Sequence, residues 1–357
     1  MSAWPDTRLL DLFGIELPIL QAPMAGPSLH PIAIAVARAG GLGALPCALL
    51  SEAQVRSELA LIRAATTAPL NINFFCHQSP QPDPEREAAW RRLLRPYYLE
   101  FGLDPDAPVP ASNRNPFDDA MCALVEDCRP AIVSFHFGLP APDLLARVKA
   151  TGAKVLSSAT TVAEARWLEA HGVDAVIAQG LEAGGHRGVF LSDEVYSQVG
   201  TFALVPQIVD AVKVPVIAAG GITDARGVAA AFMLGAAGVQ IGTAYLYTPE
   251  AKLPAAHRAA LLGTQAETTA LTNLFTGRPA RGIVNRLMRE VGPLSALAPA
   301  FPLAGGAVAP LRTAAEGQGS GDFMSLWAGQ AAPLAREMGA QELTQQLARE
   351  ALARLKR

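Results

Sequence analysis

The stretch PVIAAGGITDARGVAAAFMLGAAGVQIGT, residues 215–243, holds two apolar runs, each ending in a glycine turn, with a helical segment between them. Neither run, Pro215–Gly221 nor Gly238–Thr243, alternates polar with apolar residues, as expected of strands covered on both faces. Thr223, followed by Asp224, opens the helix between them as the N-cap candidate. Strand, helix and strand in this order make a right-handed parallel unit.

Working outward, six earlier runs have the same character: Ile19–Met24, Leu42–Cys47, Leu70–Phe75, Ala131–Phe137, Lys154–Thr160 and Ala175–Gly180. Most are followed by a segment long enough for a helix, with N-cap candidates at Ser28, Ser51 and Thr161. Eight such units in a row predict an α/β fold, a (β/α)8 TIM barrel, whose chemistry gathers at the strand C-termini. Residues 1–18 read as a lead-in, a short hairpin around Phe13-Gly14-Ile15 closing the barrel floor. Residues of about 76–130 form a long insertion between the third and fourth strands, with helices near Glu85–Leu94 and Phe117–Asp127 around a Pro-rich stretch. An ordered insertion at that end of a barrel is expected to act as a lid. The barrel is assigned to residues 1–247. Residues 248–357 are assigned to a helical C-terminal subdomain packed on it, with 249–292 read as helices.

Of the 357 residues 50% are apolar and 17% charged, with a formal net charge of -3, which suits a large buried sheet and gives no electrostatic reason for a nucleic-acid or membrane partner. Cys47, Cys76, Cys122 and Cys128 lack metal-ligand spacing and read as reduced thiols, consistent with a cytoplasmic location. No apolar core of a signal peptide or membrane span is evident. Neither a P-loop nor a Gly-x-Gly-x-x-Gly between strand and helix occurs.

The strand ends carry the chemistry. Gly220-Gly221 and Gly242-Thr243 end the seventh and eighth runs, where such barrels cradle phosphate. One glycine pair alone would indicate only a tight turn; two glycine turns at the two appropriate strands point to phosphate. Gln21, Asn71, Asn73 and Gln179 bring amides, which donate and accept at once, as a flat heterocycle requires. These termini supply no cluster of histidine and carboxylate for a metal. His186 lies in the glycine-flanked loop after the sixth run. His136 lies between Phe135 and Phe137, where a buried histidine satisfied by a backbone carbonyl is the alternative to a catalytic one.

The ordered set Ile19-Leu-Gln-Ala-Pro-Met24, Asn71-Ile-Asn-Phe74, Ser134-Phe-His136-Phe-Gly138, Gln179-Gly-Leu-Glu-Ala-Gly-Gly-His186, Ala218-Ala-Gly-Gly-Ile222 and Gln240-Ile-Gly-Thr243 resembles the motifs of nitronate monooxygenases. The match runs from residue 8 to about residue 247, and Gly321–Gln330 resembles the longer bacterial branch. The resemblance implies an FMN-dependent barrel enzyme. It would oxidise alkyl nitronates such as propionate 3-nitronate with O2 to a carbonyl compound and nitrite, and would exist as a monomer or homodimer. It implies FMN contacts from Ala22, Pro23, Met24, Asn71, Gln179, Gly184, Gly220, Gly221, Gln240, Ile241, Gly242 and Thr243. His186 would face the substrate with His136 nearby, and Phe323 or Trp327 would help to close the pocket. The alternative is an NAD(P)H-dependent flavin reductase on the same barrel, either a quinone reductase or a flavin-type enoyl-ACP reductase. A phosphosugar lyase would need a lysine or paired carboxylates at the strand ends, and Lys149, Lys154 and Lys213 fall on the wrong face.

Overall fold

The computed structural model describes residues 4–192 and 194–356. In chain order the elements begin with α1 (Arg8–Phe13), β1 (Ile19–Gln21), α2 (His30–Arg38), β2 (Gly43–Pro46), α3 (Glu52–Ala65) and β3 (Leu70–Phe75). The insertion supplies α4 (Pro84–Glu100) and α5 (Asp119–Cys128). There follow β4 (Ile132–His136), α6 (Pro142–Ala150), β5 (Lys154–Ala159), α7 (Val162–Ala170), β6 (Ala175–Gln179) and the two-residue β7 (Gly185–His186). The barrel ends with α8 (Thr201–Ala211), β8 (Val216–Ala219), α9 (Ala225–Met233) and β9 (Gly238–Ile241). Then come α10 (Thr243–Leu246), α11 (Ala255–Leu262), β10 (Thr269–Thr272), β11 (Ala280–Ile283), α12 (Arg286–Val291), α13 (Ala304–Gly317) and α14 (Ala340–Leu355).

Eight parallel strands run in the order β1-β9-β8-β6-β5-β4-β3-β2. The ring closes where Leu42 N–H donates to Ile19 O at 3.0 Å and Gln21 N–H donates to Leu42 O at 2.9 Å. The expected strands begin close to where they were read, and all but β3 end earlier. Residues such as Ala22–Met24 and Gly220–Gly221 leave the ladder and form the C-terminal rim instead.

The lead-in is a helix, not a hairpin. Gly14 caps α1 in the left-handed conformation, at φ 67, which glycine adopts without steric cost. Leu9 and Phe13 of α1 then plug the barrel floor together with Ile15, Leu20, Leu42, Ile132, Leu156 and Ile217. A local i, i+4 apolar pair was the helical signal in that stretch.

Ser51 caps α3 in a capping box with Gln54, and Thr161 caps α7. Two other expected caps move by one residue. Asp224 caps α9 rather than Thr223, and Leu29 precedes α2 with Pro31 in its first turn. Ser28 is used differently: its Oγ bonds the Met24 backbone N–H and carbonyl, each at 3.0 Å, and fixes the rim turn after β1.

The C-terminal region contains helices but also a hairpin, in the stretch read as helical. β10 pairs antiparallel with β11, and β11 pairs with β7. Thr268, Thr269 and Thr272 are β-branched, and Gly277 turns with positive φ before Pro279; these strand signals are outvoted in a window rich in alanine and leucine. A second apolar cluster joins insertion and C-terminal region, with Trp90, Leu94, Tyr97 and Tyr98 packed among Leu287, Leu311 and Phe323. Trp90 Nε1 donates to Ala304 O at 3.1 Å and Tyr98 Oη to Ala307 O at 2.6 Å, so α4 and α13 are tied by polar bonds as well. No helix among the described residues is long and apolar enough to cross a membrane.

Candidate active site

A cavity of about 860 Å³ opens at the strand C-termini. That volume falls within the range of about 300–1,000 Å³ typical of small-molecule and cofactor sites. Ala22, Pro23, Met24, His136, Gln179, Gly184, His186, Gly220, Gly221, Gln240, Gly242 and Thr243 all line it. Two of the sequence-based choices do not. Asn71 lies two residues below Asn73 on the same face of β3, deeper in the barrel; Asn73 is the cavity residue. Ile241 alternates outward from Gln240 into the core between sheet and helices, while its carbonyl accepts from Ala22 N–H at 2.8 Å.

At one end of the cavity Gly220 and Gly221 take φ of 112 and 70, conformations that a side chain resists. A Cβ on Gly220 would also come within 3.0 Å of Ala183 N. The turn aims backbone at the cavity. The N–H groups of Gly221, Ile222, Thr223, Gly242 and Thr243 have no acceptor among the described residues, and all five residues line the cavity. The N-terminus of α9 adds its partial positive charge directly behind. Buried Gln240 Oε1 likewise has no donor among the described residues. Gly184, which lines the cavity, also has a packing role. A Cβ there would come within 2.5 Å of Gly329 N, so it admits the C-terminal strap at Ala328–Gly329.

At the other end, the loop after β6 is held by side chains from several strands. Gln179 Nε2 donates to His186 O at 2.9 Å, and Gln179 Oε1 accepts from Gly188 N–H at 2.7 Å. His136 Nε2 donates to the same His186 carbonyl at 3.2 Å, and its Nδ1 lies 3.1 Å from Ser158 Oγ. Both nitrogens of His136 are therefore engaged, as in the backbone-satisfied alternative, and the side chain positions the loop. Beneath it Arg187, 0% exposed, donates from Nε to Gln198 Oε1 and from its two Nη atoms to Gly180 O and Gln179 O, at 2.7–2.8 Å. The His186 ring keeps one nitrogen free of protein partners among the described residues. Its Nε2 lies 2.9 Å from Thr276 Oγ1, while Phe301 and Trp327 flank the ring at centroid distances of 5.3 and 5.5 Å.

Burial, reinforced by the charges of Arg114 and Arg278, holds His186 well below the ordinary imidazole range, so it is neutral at pH 7. Burial likewise pulls His77, His136 and His257 down to about 4. Unfolded, these three would titrate near 6.5. Their depressed native values contribute stability that is present above 6.5 and lost as the pH falls through about 4. Urea midpoints at pH 7 and pH 5 should show a loss on the order of a few kcal/mol; equal midpoints would contradict neutral burial of these rings.

The sequence model of the family described as "Nitronate monooxygenase" matches residues 6–350. The chain belongs to the nitronate monooxygenase family. A nitronate monooxygenase of Pseudomonas aeruginosa is 44% identical over 353 residues, covering 96% of this chain and 98% of the relative. A probable nitronate monooxygenase of Staphylococcus saprophyticus is 35% identical over 348 residues, covering 97% and 98%. Among solved structures, the nitroalkane oxidase of Streptomyces ansochromogenes superposes with a TM-score of 0.88 at 40% identity, covering 98% of this chain and 99% of that one. FabK of Thermotoga maritima superposes at 0.73 with 27% identity, covering 98% and 97%.

Within this nitronate monooxygenase family member, several cavity residues come from segments that local sequence does not connect to the barrel. Arg114 arrives from the Pro-rich part of the insertion, and Arg312 and Glu316 from α13. Burial, with the neighbouring Arg312 charge second, lowers the Arg114 guanidinium from its ordinary value. Neither guanidinium has a hydrogen-bond acceptor or carboxylate partner among the described residues. Trp327 lines the cavity as the resemblance implied, whereas Phe323 is buried between α4 and α13. The lone charged residue inside Asn113-Arg114-Asn115-Pro116, in an ordered proline loop, was the available signal for Arg114. Thr276 gave none, because a hydroxyl in a turn is ordinary.

Proposed function

We propose that this chain binds FMN in the cavity and oxidises alkyl nitronates, propionate 3-nitronate among them, with O2 to a carbonyl compound and nitrite. The observation that carries the reading is the pairing within one cavity of orphaned backbone donors at the glycine turns with a neutral histidine at the opposite end. Family membership and the likeness to a nitroalkane oxidase support it.

The residues present suit the cofactor. The five free N–H groups of Gly221–Thr223 and Gly242–Thr243 would hold its phosphate, and the orphaned Gln240 Oε1 would accept from a ring N–H. When bound, FMN supplies the redox chemistry that links an organic anion to dioxygen. The chain's own residues bind the anion, orient it and exclude water. Phe75, Trp327 and Met24 provide apolar walls. Arg114 and Arg312 offer unpaired positive charge to a nitronate or to its carboxylate. His186, uncharged and carrying one free ring nitrogen, lies beside the bound anion; in a neutral nitroalkane the same nitrogen is suited to take the proton from the carbon next to the nitro group, which a nitronate has already lost.

Oxygen uptake with propionate 3-nitronate, with nitrite quantified in parallel, tests the reading. Stoichiometric nitrite is the expected result; a preparation that releases none, or that stays colourless with added FMN, overturns it. Gly221→Val should purify with less than about a tenth of the wild-type flavin, because a β-branched residue at φ 70 both strains the turn and fills the cradle. Normal flavin content would move the phosphate elsewhere. Arg114→Met and Arg312→Met should each raise KM for propionate 3-nitronate about tenfold, by loss of a charged hydrogen bond of roughly 1.5–3 kcal/mol.

The likeness to FabK favours one other reading, reduction of bound flavin by a nicotinamide. Anaerobic mixing with NADPH separates the two. Persistence of the oxidised flavin spectrum is expected, and rapid bleaching would favour the reductase.

A further inference from the structure

We infer that the C-terminal segment of residues 327–330 is a clasp that retains the cofactor, seated on the barrel rim by a backbone contact that only glycine at Gly184 and Gly329 allows. The inference rests on the reading of the cavity as an FMN site. Trp327, Gly329 and Ala331 line the cavity, so the segment forms part of its wall.

The segment is tied to both glycine turns. Gly329 N–H donates to Thr243 Oγ1 at 2.9 Å, at the turn after β9. Accepting that bond leaves the hydroxyl its own proton for an acceptor in the cavity. Gln330 N–H donates to Glu182 O at 3.0 Å. The Glu182 carboxylate accepts from Thr201 N–H at 2.8 Å. Thr201 Oγ1 lies 2.8 Å from the same carboxylate and 2.9 Å from Gly220 O, in the turn after β8. At the other end of the segment, His257 Nε2 donates to Trp327 O at 3.1 Å, and the Trp327 ring lies 5.5 Å from that of His186. One short stretch thus joins the phosphate cradle to the wall of the reactive end.

Two absent side chains make room for it. A Cβ on Gly184 would come within 2.5 Å of Gly329 N and 2.6 Å of Ala328 C. A Cβ on Gly329 would come within 2.9 Å of Glu182 O and 3.1 Å of Gly184 N. Neither glycine has a positive φ, so alanine there meets no backbone strain and acts only by filling the contact. The atoms met are backbone, which cannot swing aside as a side chain does, so the segment must lift. Lifting draws Gly329 away from Thr243 and opens the cradle. A clasp that favours the bound cofactor is favoured by it to the same degree.

The test is the rate at which FMN leaves the loaded protein, followed as free-flavin fluorescence after dilution. Gly184→Ala and Gly329→Ala should each release flavin about tenfold or more faster than wild type, because a lost contact shows mainly in dissociation. Gly238→Ala is the control for packing alone, since its Cβ would come within 2.7 Å of Pro18 O at the barrel floor. It should lower the urea midpoint yet release flavin within about threefold of wild type. In the wild type, hydrogen exchange at the Gly329 and Gln330 amides should slow about tenfold or more on loading with FMN. Wild-type release rates in both strap variants overturn the clasp alone, as does equal acceleration in Gly238→Ala or equal exchange with and without FMN. A wild type that takes up no FMN overturns the cofactor reading and the clasp with it. If one strap variant does not fold, the other is read in the same way, and the exchange measurement needs neither.

Discussion

His186→Ala is expected to lower turnover of a neutral nitroalkane, whose α-proton must be removed, by about 10²–10⁴-fold, the range for loss of a positioned acid or base, while flavin content stays near that of the wild type. Three features make the effect large. The ring lines the cavity, keeps a nitrogen free of partners among the described residues and is wedged between Phe301 and Trp327. Its neutrality follows from burial amid cationic neighbours, so the base form persists below the ordinary imidazole range. Its loop is held through backbone atoms, by Gln179 and His136 at the carbonyl and by Pro279 O at the next N–H, so removing the ring leaves the loop in place. Oxygen uptake, nitrite release and the visible flavin spectrum check it together. A variant that keeps turnover within about threefold of wild type would remove His186 from the chemistry.

Arg187→Met is expected to have the largest effect on stability, a loss of about 3–5 kcal/mol. The guanidinium is fully buried beneath the active loop and donates to three oxygens on three different residues. Methionine has similar length and no donors, so Gln179 O, Gly180 O and Gln198 Oε1 would each lose a charged hydrogen-bond partner. A buried acceptor left bare costs roughly 1–3 kcal/mol, which sets the scale of the sum. Burial lowers the Arg187 pKa to about 10, and the Arg281 charge adds to this while Glu182 and Glu164 oppose it, so the group stays charged at neutral pH. Lysine should not rescue it, because an ammonium cannot reproduce the planar fork that reaches both strand-end carbonyls. Urea unfolding followed by far-UV circular dichroism measures the loss. A shift below about 1 kcal/mol would show that water enters and replaces the lost donors.

How far the site was legible depended on whether a residue sits on a barrel strand. Gly220, Gly221, Gln240 and Gly242 could be placed because each lies at the end of a buried run, and His186 because its loop follows one; a strand end in this architecture has a known address. Errors arose where only the pleat decides. Asn71 and Asn73 share a face, and nothing local says which of them reaches the rim; Ile241 lies between two cavity residues and points the other way. His136 was read with two alternatives, and its ring bonds a carbonyl fifty residues away that no local pattern could reveal.

The order of eight apolar runs, each followed by a helical segment, was enough by itself to determine the barrel and the end that carries the site. Burial on both faces and the short reach of a strand–helix unit leave few other ways to close such a chain. The remaining half of the cavity was decided only by tertiary structure. Arg114, Arg312 and Trp327 come from an insertion and a C-terminal region joined to each other through a shared apolar cluster. The hairpin that seats His186 exists because β7 offers it an edge. Such contacts depend on distances in space between segments a hundred residues apart, and no periodicity along the chain encodes them.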